Sequence, residues 1–269
     1  MNYNRSSYID QPLIIENELK ALFNVNDAIT IFEIGACEGE DTIKYSRLFP
    51  FSKIYIFEAL PANIKLIENN FLRYNVTNAK FYNVALASEN GTAEFYVSSG
   101  RPKNAGNSDW DYGNKSSSLL PPASKSKMPD FLRFDNKIEV RTVTLRTFCE
   151  SNNITNIDFI HMDVQGAELM VLEGAGDLMS SIKAIWLEVS SVDLYKNQPL
   201  VKDVKNFMKK KNFYLVKDSL NGFQGDHLYF SEKFFKENEK SFPEIKSKSV
   251  ISKKVLNNLY SFFRKLKIS

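Results

Sequence analysis

The stretch IFEIGACEGEDT, residues 31–42, passes from an apolar run into a turn that contains two glycines and several acidic residues. The apolar run is rich in β-branched and aromatic residues, which predicts a strand that ends near Gly35. The residues from Glu40 onward place apolar side chains at helical spacing, which predicts a helix after the turn. A strand, a glycine turn and a helix in this order predict the first crossover unit of a parallel sheet.

The charge of this turn indicates which kind of ligand it can receive. Four acidic residues flank it: Glu33, Glu38, Glu40 and Asp41. The glycines stand at positions 35 and 39, a spacing that differs from the G-x-G-x-x-G of dinucleotide sites. Four carboxylates would repel a pyrophosphate, whereas they would attract a ligand that carries an amino group and a sulfonium. The turn therefore favours S-adenosylmethionine over a dinucleotide.

A second predicted strand, SKIYIFEAL at residues 52–60, ends near another acidic residue. Glu58 would lie at the carboxyl edge of the sheet, where open parallel sheets bind their ligands. A carboxylate at this position can accept hydrogen bonds from two ribose hydroxyls. Because it suits either cofactor, a nucleotide-sugar or NAD-dependent Rossmann oxidoreductase is the alternative enzyme.

Strands and helices alternate along the rest of the chain. Strand-like runs occur at residues 79–88, 91–99, 137–145, 157–164, 182–190, 213–219 and 226–231. Helix-like runs separate most of them, which indicates βαβ crossovers and a mostly parallel sheet with helices on both faces. The last two strands are joined by a Gly-containing turn and should be antiparallel. We therefore predict an α/β domain over residues 28–231, preceded by a helical or irregular N-terminal extension, residues 1–27.

Composition and charge are those of an ordinary globular protein. Hydrophobic residues make up 43% and charged residues 25% of the 269 residues, and no apolar run reaches the ~18 residues of a membrane span. The N-terminus lacks a signal-peptide pattern and two cysteines give no disulfide framework, so we expect a cytoplasmic protein. Residues 246–269 contain seven Lys or Arg and no acid, which leaves the remainder of the chain acidic. An acidic body argues against a nucleic-acid partner.

Residues 100–137 interrupt the alternation with a segment rich in Ser, Pro, Lys, Asn and Gly. An aperiodic segment of this length within a compact domain is typical of a functional loop or of a disordered insertion. It carries Trp110, Tyr112 and Phe131, which can stack on a sugar ring or cover an apolar acceptor. We expect a variable lid over the acceptor, with a merely tolerated insertion as the alternative.

Five motifs resemble one enzyme family: EIGACEGEDT, FEALP, FYNVALASENGTAEFYV, SSSLL and IDFIHMDVQGAELMVLEGA. They resemble the FkbM-type family of S-adenosylmethionine-dependent methyltransferases over the region 28–231, and the last motif is the most specific. The resemblance implies the Rossmann-like class I methyltransferase fold, with a seven-stranded, mostly parallel sheet and an antiparallel last strand. It also implies O-methylation of a hydroxyl on a sugar, glycolipid or secondary metabolite.

The resemblance also implies a set of cofactor contacts. Those around the first two strands are Glu33, Gly35, Ala36, Gly39, Asp41, Thr42 and Glu58. Asn83 and Ala85 would border the adenine, and Ser118 would hydrogen-bond near the cofactor. No zinc-like or calcium-like ligand spacing occurs, so no metal is predicted, with a divalent cation held by Asp163 and Glu188 as the alternative.

Three residues near the carboxyl ends of central strands are candidates for the chemistry. Asp163 should point into the cleft, and His161, on the same face of its strand, could act as the base. His161 could equally be a buried residue that orders the strand. Glu188 ends the neighbouring strand and could bind the acceptor. The family commonly has a lysine where His161 stands and a glutamate where Gln165 stands.

The sequence thus favours an S-adenosylmethionine-dependent O-methyltransferase that acts on a hydroxyl of a glycan or secondary metabolite. A protein of a different class, a catalytically inactive cofactor-binding scaffold, would carry the same cofactor motifs. Acceptor contacts and turnover would distinguish the two.

The C-terminal tail, residues 232–269, ends in VISKKVLNNLYSFFRKLKI, residues 250–268. Its apolar residues fall on one stripe of a helix and its basic residues on the remainder, which predicts a basic amphipathic helix. Such a helix can lie on the anionic inner face of a membrane, and each basic residue contributes about 1 kcal/mol near the surface. The alternatives are packing on the chain's own domain and self-association with a second subunit.

Deletion of residues 246–269 tests the membrane interpretation. We expect the full chain to co-sediment with liposomes that contain anionic lipid and the shortened chain to remain in the supernatant. The reason is that the deletion removes seven basic residues and most of the apolar stripe. Liposomes of zwitterionic lipid are the control, and equal co-sedimentation of both chains would contradict the interpretation.

Overall fold

A central sheet with helices on both faces forms the body of the protein in a computed structural model, which describes residues 4–106, 109–123 and 127–238. The helices are α1 (Arg5–Ile9), α2 (Glu16–Leu22), α3 (Glu40–Leu48), α4 (Pro61–Tyr74), α5 (Leu145–Ser151), α6 (Glu168–Glu173), α7 (Val201–Lys210) and α8 (Glu232–Glu237). The strands are β1 (Thr30–Ile34), β2 (Lys53–Phe57), β3 (Ala79–Tyr82), β4 (Ala85–Leu86), β5 (Gly91–Ser99), β6 (Arg133–Val143), β7 (Ile157–Met162), β8 (Ile182–Ser190), β9 (Phe213–Asp218) and β10 (Gln224–Ser231).

Within the described ranges, the central sheet has seven strands in the order β3-β2-β1-β7-β8-β10-β9. The pairs β1–β2, β1–β7, β2–β3 and β7–β8 are parallel, and β10 is antiparallel to both β8 and β9. The strand order reverses between β1 and β7, which is where open α/β sheets bind ligands. The predicted α/β fold, with a Rossmann-like, mostly parallel sheet and an antiparallel last strand, is confirmed.

A second, smaller sheet corrects the predicted strand at residues 79–88. The chain leaves the central sheet after β3, and β4 instead pairs in parallel with β6. The side-chain amide of Asn83 lies at the break and donates to the carbonyl oxygens of Glu58 and Ala59, at 2.9 and 3.0 Å. These bonds tie the break to the end of β2, and the apolar pattern of the segment does not reveal them.

The predicted strand at residues 137–145 is also corrected. It begins earlier, at Arg133, and pairs with β5 as an antiparallel hairpin outside the central sheet. The first half of β6 is largely exposed, since an antiparallel sheet needs only one covered face, and its apolar pattern is weak for that reason. The irregular part of the predicted lid, residues 100–137, therefore ends before residue 133.

Alternation along the strands produces two apolar layers, one on each face of the central sheet. The first layer contains Ile31 of β1, Phe159 of β7 and Trp186 of β8. The second contains Phe32 and Ile160, which are the next residues along two of the same strands. The polar residues at the end of each strand continue this alternation, so each of them lies on one of the two faces of the sheet.

The flanks of the predicted domain, residues 28–231, contribute to the first layer. Ile9, Leu19 and Phe23 of the N-terminal extension are buried in it. Phe23 stacks on Phe234 of α8, with ring centroids 5.6 Å apart and planes at 12°. The extension and the first residues of the tail therefore pack together on one face of the sheet.

None of the described helices is both long and apolar enough to cross a lipid bilayer. The predicted amphipathic helix at residues 250–268 lies outside the part of the chain that the structure describes.

Replacement of Leu19 by alanine tests whether the N-terminal extension belongs to the core. Leu19 is completely buried, so we expect the free energy of unfolding to fall by about 2–5 kcal/mol in urea denaturation. Ile14 in the same segment is 73% exposed, and its replacement by alanine should change stability by less than about 0.5 kcal/mol. Similar small effects at both positions would show that the extension folds independently of the domain.

Candidate active site

Polar side chains collect at the carboxyl edge of the central sheet, around the reversal between β1 and β7. They lie on the face of the first apolar layer, because they continue the alternation of strands that contribute to it. Across the cleft they are Glu58, Glu33, His161, Asp163, Glu188 and Asp226. Five of these six residues are acids, so the cleft has a strongly negative potential before other groups are considered.

The glycine turn brings β1 and β7 into close contact below the cleft. Gly35 has a φ of +85°, and a Cβ atom there would lie 1.9 Å from the carbonyl oxygen of Asp163. The Gly35 amide donates to the carbonyl oxygen of Phe57 at 2.9 Å. Gly39 has a φ of +76° and begins α3, where a Cβ atom would lie 2.9 Å from the ring of Phe71. Both positions therefore require glycine.

Two adjoining cavities open above this turn. They share four lining residues, Gly35, Cys37, Lys115 and Asp163, and so form one elongated site. The first is here called the apolar cavity. Its walls include Glu58, Val84, Ala85, Leu86, Phe95 and Leu119. The second, here called the acidic cavity, is lined by Tyr8, Glu33, Ala36, Glu40, Asp41, Trp110 and His161 in addition to the shared residues.

Glu58 is the acidic residue that lines the apolar cavity alone. Its two carboxylate oxygens accept the backbone amides of Leu60 and Cys37, at 2.7 and 2.8 Å. Each oxygen keeps a lone pair for a further donor. Burial raises the pKa of the Glu58 carboxyl to about 7, which those two backbone hydrogen bonds partly oppose. A carboxylate in this position beside an apolar wall can hold the hydroxyls of a ribose.

Glu33 and Asp41 form the acidic wall of the second cavity. Glu33 accepts a hydrogen bond from the hydroxyl of Thr42. Burial, together with the nearby Asp41 carboxylate, raises the pKa of Glu33 well above its usual value. Asp41 accepts the Tyr8 hydroxyl at 2.9 Å and lies 3.5 Å from the ammonium of Lys44. These contacts hold two carboxylates in place where a cationic ligand can offset their charge.

The other two acids of the turn are paired with basic side chains, which corrects the expectation that all four charges act on the ligand. Glu38 is fully buried and forms an ion pair with Arg5 of α1. The side-chain amide of Asn114 donates to the same carboxylate at 2.9 Å. Glu40 lies 3.0 Å from the ammonium of Lys115. Segments distant in sequence therefore pair two of the four acids of the turn, in addition to the contact of Asp41 with Lys44 inside α3.

Asp163 stands where the two cavities meet, and its side chain is exposed to the cleft. The side-chain amide of Gln165 donates to it at 2.6 Å and to Glu188 at 3.0 Å, so one amide bridges two carboxylates. Tyr195 donates its hydroxyl to the amide oxygen of Gln165 at 3.0 Å. Desolvation raises the pKa of Asp163. Burial raises the pKa of Glu188, and the nearby negative charge of Asp163 raises it further.

His161 lies in the wall of the acidic cavity. One of its ring nitrogens and the carboxylate oxygens of Glu33 and Asp41 lie within 4.8 Å of one another. Its Nδ1 atom is buried and has no hydrogen-bond partner among the described residues. The other histidine, His227, is fully buried on the opposite face of the sheet, bonded to Tyr229, and burial lowers its pKa to about 4. His161 is therefore the histidine of the cleft.

Four of the expected cofactor contacts line neither cavity in the described part of the chain: Gly39, Thr42, Asn83 and Ser118. Thr42 is fully buried and orients Glu33. The Ser118 hydroxyl donates to the carbonyl oxygen of Gln165 at 2.7 Å and so supports the loop that follows Asp163. Its neighbour Ser117 lines the apolar cavity. These positions support the residues that line the cavities.

Residues that the sequence did not single out for the cofactor cover the acidic cavity. Tyr8 comes from the N-terminal extension, and Trp110 and Lys115 come from the aperiodic segment. The Tyr8 and Trp110 rings lie 5.1 Å apart, so the two segments meet above the cavity. The aromatic residues of the aperiodic segment indicated a covering role for Trp110. No pattern in the sequence around Tyr8 indicated that it would line the cavity.

Two further acidic residues near the cleft, Glu168 and Asp226, were not among the site residues predicted from the sequence. Glu168 begins α6 and accepts the backbone amides of Val164 and Gly166 at 3.2 and 3.1 Å, which fixes the loop after β7. Asp226 of β10 lies opposite Glu188 in the register of the two strands. Burial raises the pKa of Glu168 and of Asp226 to about 7 in each case. Glu168 lies within the motif that carried the resemblance, but Asp226 lies in no motif.

The two cavities together fit S-adenosylmethionine. The apolar cavity offers apolar walls for a base and, in Glu58, a carboxylate that can accept hydroxyl donors. The acidic cavity, with Glu33 and Asp41, can offset the charge of an ammonium and a sulfonium. The same carboxylates would repel the phosphates of a dinucleotide.

An open α/β sheet with a ligand cleft at its reversal point is the arrangement of Rossmann-like folds that bind nucleotide-type cofactors. A family model described as the methyltransferase FkbM domain matches residues 33–215, and the chain belongs to this family. The protein is therefore an S-adenosylmethionine-dependent methyltransferase, as the sequence motifs implied. The oxidoreductase alternative loses its support.

Two characterised relatives and one solved structure show how far the similarity extends. The chain is 27% identical to the 2-O-methyltransferase NoeI of Sinorhizobium fredii over 80% of this chain and 84% of that protein. It is 25% identical to Methyltransferase 1 of Beauveria bassiana over 55% of this chain and 58% of that protein. A structure of TrmK from M. capricolum with S-adenosylhomocysteine aligns with a TM-score of 0.45 and 10% identity, over 82% of this chain and 70% of that one.

The pH dependence of cofactor-product binding tests the role of Glu58. The carboxyl, with a pKa of about 7, must lose its proton before it can accept two ribose hydroxyls. Calorimetric titration with S-adenosylhomocysteine should therefore show about tenfold weaker binding at pH 6 than at pH 8 from this group. Glu58→Gln should bind more weakly throughout and lack this part of the pH dependence.

The comparison between the two proteins isolates Glu58, because the other acids of the cleft titrate in both. Glu139→Gln, at an exposed position of β6, is the matched control and should bind as the wild type does. An identical pH profile for wild type and Glu58→Gln would show that Glu58 does not contact the ribose.

Proposed function

We propose that the protein methylates a hydroxyl group on a sugar, glycan or related secondary metabolite. The observation that carries this proposal is the position of Asp163, an exposed carboxylate at the junction of the two cavities, held by Gln165. An oxygen acceptor must lose a proton on methylation, and a carboxylate at this junction can receive it. The similarity to a 2-O-methyltransferase supports a hydroxyl acceptor.

S-adenosylmethionine supplies the methyl group. Glu58 and Ala85 hold the nucleoside half in the apolar cavity, and Glu33 and Asp41 hold the cationic groups in the acidic cavity. Gly35 forms the floor between them, and Ala36 lines the acidic cavity. The covering residues Tyr8 and Trp110 keep water from the acidic cavity. The linings of the two cavities support these assignments.

Asp163 is the proton acceptor that the arrangement favours. It is exposed, borders both cavities and is oriented by a 2.6 Å hydrogen bond from Gln165. Glu188 lines neither cavity and reaches Asp163 through the amide of Gln165, so we assign it to acceptor binding. His161 lies in the acidic cavity, and its free Nδ1 makes it the second candidate for the base.

The chemistry of the cleft beyond Asp163 supports an acceptor with several hydroxyl groups. The antiparallel strands β8 and β10 carry Glu188, Asp226 and Gln224. The side-chain amide of Gln224 donates to Glu188 at 3.3 Å. Carboxylates and amides are the side chains that hydrogen-bond to hydroxyls in several directions. The same carboxylates oppose a phosphate-rich acceptor, which speaks against nucleic acid. A glycolipid acceptor would also agree with the predicted membrane contact of residues 250–268.

A methyl-transfer assay with Asp163→Asn tests the proposal. With sugar acceptors, we expect kcat to fall by about 10²–10⁴-fold because the proton acceptor is lost. The dissociation constant for S-adenosylhomocysteine should change by less than about threefold, since its ribose and amino-acid partners remain. The measurement is transfer of labelled methyl groups to a panel of oligosaccharides, each compared with an amine-bearing analogue.

Asp193→Asn, at an exposed position after β8, is the matched control and should retain full turnover. His161→Asn should shift the pH–rate profile only if the imidazole takes part in the reaction. Unchanged turnover in Asp163→Asn would overturn the assignment of the base. Binding of the cofactor without transfer to any hydroxyl acceptor would favour the inactive scaffold.

A further inference from the structure

Lys115 is a basic residue in the centre of an acidic cleft. It lies in the 3-10 turn Asn114–Ser116 of the aperiodic segment and lines both the apolar and the acidic cavity. Among the described residues that line the two cavities, it is the only lysine or arginine. We propose that Lys115 binds the carboxylate of the methionine half of S-adenosylmethionine, an inference that rests on the proposed cofactor site.

The contacts of Lys115 place its ammonium inside the site. It lies 3.0 Å from Glu40, 3.6 Å from the sulfur of Cys37 and 4.2 Å from the centroid of the Trp110 ring. The side chain is 25% exposed, so the ammonium is held by the walls of the cavity and still reachable from it. A lysine carries three donors, and these contacts leave capacity for a carboxylate.

The amino-acid half of the cofactor poses a charge problem that Lys115 solves. Its ammonium and the sulfonium are matched by Glu33 and Asp41. Its carboxylate has the same sign as those side chains and would be repelled by them unless a cation lies beside it. Lys115 is adjacent to the shared floor of the two cavities, where it can meet such a group.

Four backbone amides of the glycine turn already donate to acceptors within the protein. The amides of Gly35 and Ala36 both donate to the carbonyl oxygen of Phe57, at 2.9 and 3.2 Å. The Cys37 amide donates to Glu58, and the Gly39 amide donates to the carbonyl oxygen of Ala36. The first residues of α3 are Glu40 and Asp41, whose charges oppose an anion at that helix end. These features leave the Lys115 ammonium as the donor best placed for the ligand.

Lys115 can turn toward a ligand without leaving Glu40 unpaired. The Nε atom of Arg5 lies 3.8 Å from the same Glu40 oxygen, while the Arg5 guanidinium also pairs with Glu38. That Nε atom has no hydrogen-bond partner, so it can approach Glu40 more closely. The charge of Glu40 would then be carried by Arg5, and the Trp110 ring would continue to guide the lysine side chain.

The test compares two ligands that differ only in the carboxylate. Binding of S-adenosylmethionine and of decarboxylated S-adenosylmethionine is measured by calorimetry for the wild type, Lys115→Met and Lys115→Arg. Lys115→Met should weaken binding of the complete cofactor by about 10- to 100-fold, the range of a charge-assisted hydrogen bond. It should change binding of the decarboxylated ligand by less than about threefold, because that ligand has nothing for Lys115 to hold.

Lys115→Arg should retain most of the discrimination between the two ligands. Lys183→Met is the matched control, because it removes an ion pair of 2.6 Å to Asp158, near the opposite edge of the central sheet. It should leave both affinities unchanged. Retained binding of the decarboxylated ligand also shows that the Lys115→Met protein is folded.

Equal losses for the two ligands in Lys115→Met, or no loss for either, would overturn the inference while leaving the cofactor site intact. Failure of the wild type to bind S-adenosylmethionine would instead overturn the proposed site, and the inference with it. A loss confined to the ligand with the carboxylate is the result that supports the role of Lys115.

Discussion

The close approach of β1 to the loop after β7 is the constraint on which the cleft depends. Gly35 permits it, because any side chain there would collide with the carbonyl oxygen of Asp163. The contact places the floor of both cavities directly beside the residue proposed to receive the acceptor proton. It also directs the turn toward the end of β2, where the Cys37 amide bonds to Glu58. One backbone contact thereby sets the spacing between the nucleoside partner, the acidic wall and the proposed base.

The second constraint is charge. Buried carboxylates are costly unless they are paired or protonated, and the raised pKa values of Glu33, Glu58 and Glu188 show that cost. The protein offsets part of it with Arg5 and Lys115, which come from the N-terminal extension and the aperiodic segment. The remaining negative charge faces the cleft, so a cationic ligand is stabilised there. The polarity of the site is therefore a property of three segments acting together.

The amino-acid sequence predicted the central sheet well and the edges of the fold less well. Nearly continuous apolar runs in the central strands report burial on both faces, so those strands, and the alternation of strands with helices, were predictable. The break at Asn83 was not, because it depends on hydrogen bonds to residues that are distant in sequence. Similarly, Thr42 and Ser118 carry polar groups in motif positions, but their buried hydroxyls bond to the protein. A motif identifies the neighbourhood of a site, whereas it does not distinguish lining residues from supporting ones.

The sequence by itself determined the fold class, the glycine turn and the acids at the strand ends, because these depend on local periodicity and on conformations that few residues adopt. It also determined the family, through motifs that span most of the domain. Only the tertiary structure decided which charges of the turn face the ligand, which residues cover the cavity and which amide bridges Asp163 and Glu188. These relations join residues separated by tens of positions in the chain, and no local pattern encodes which of them meet.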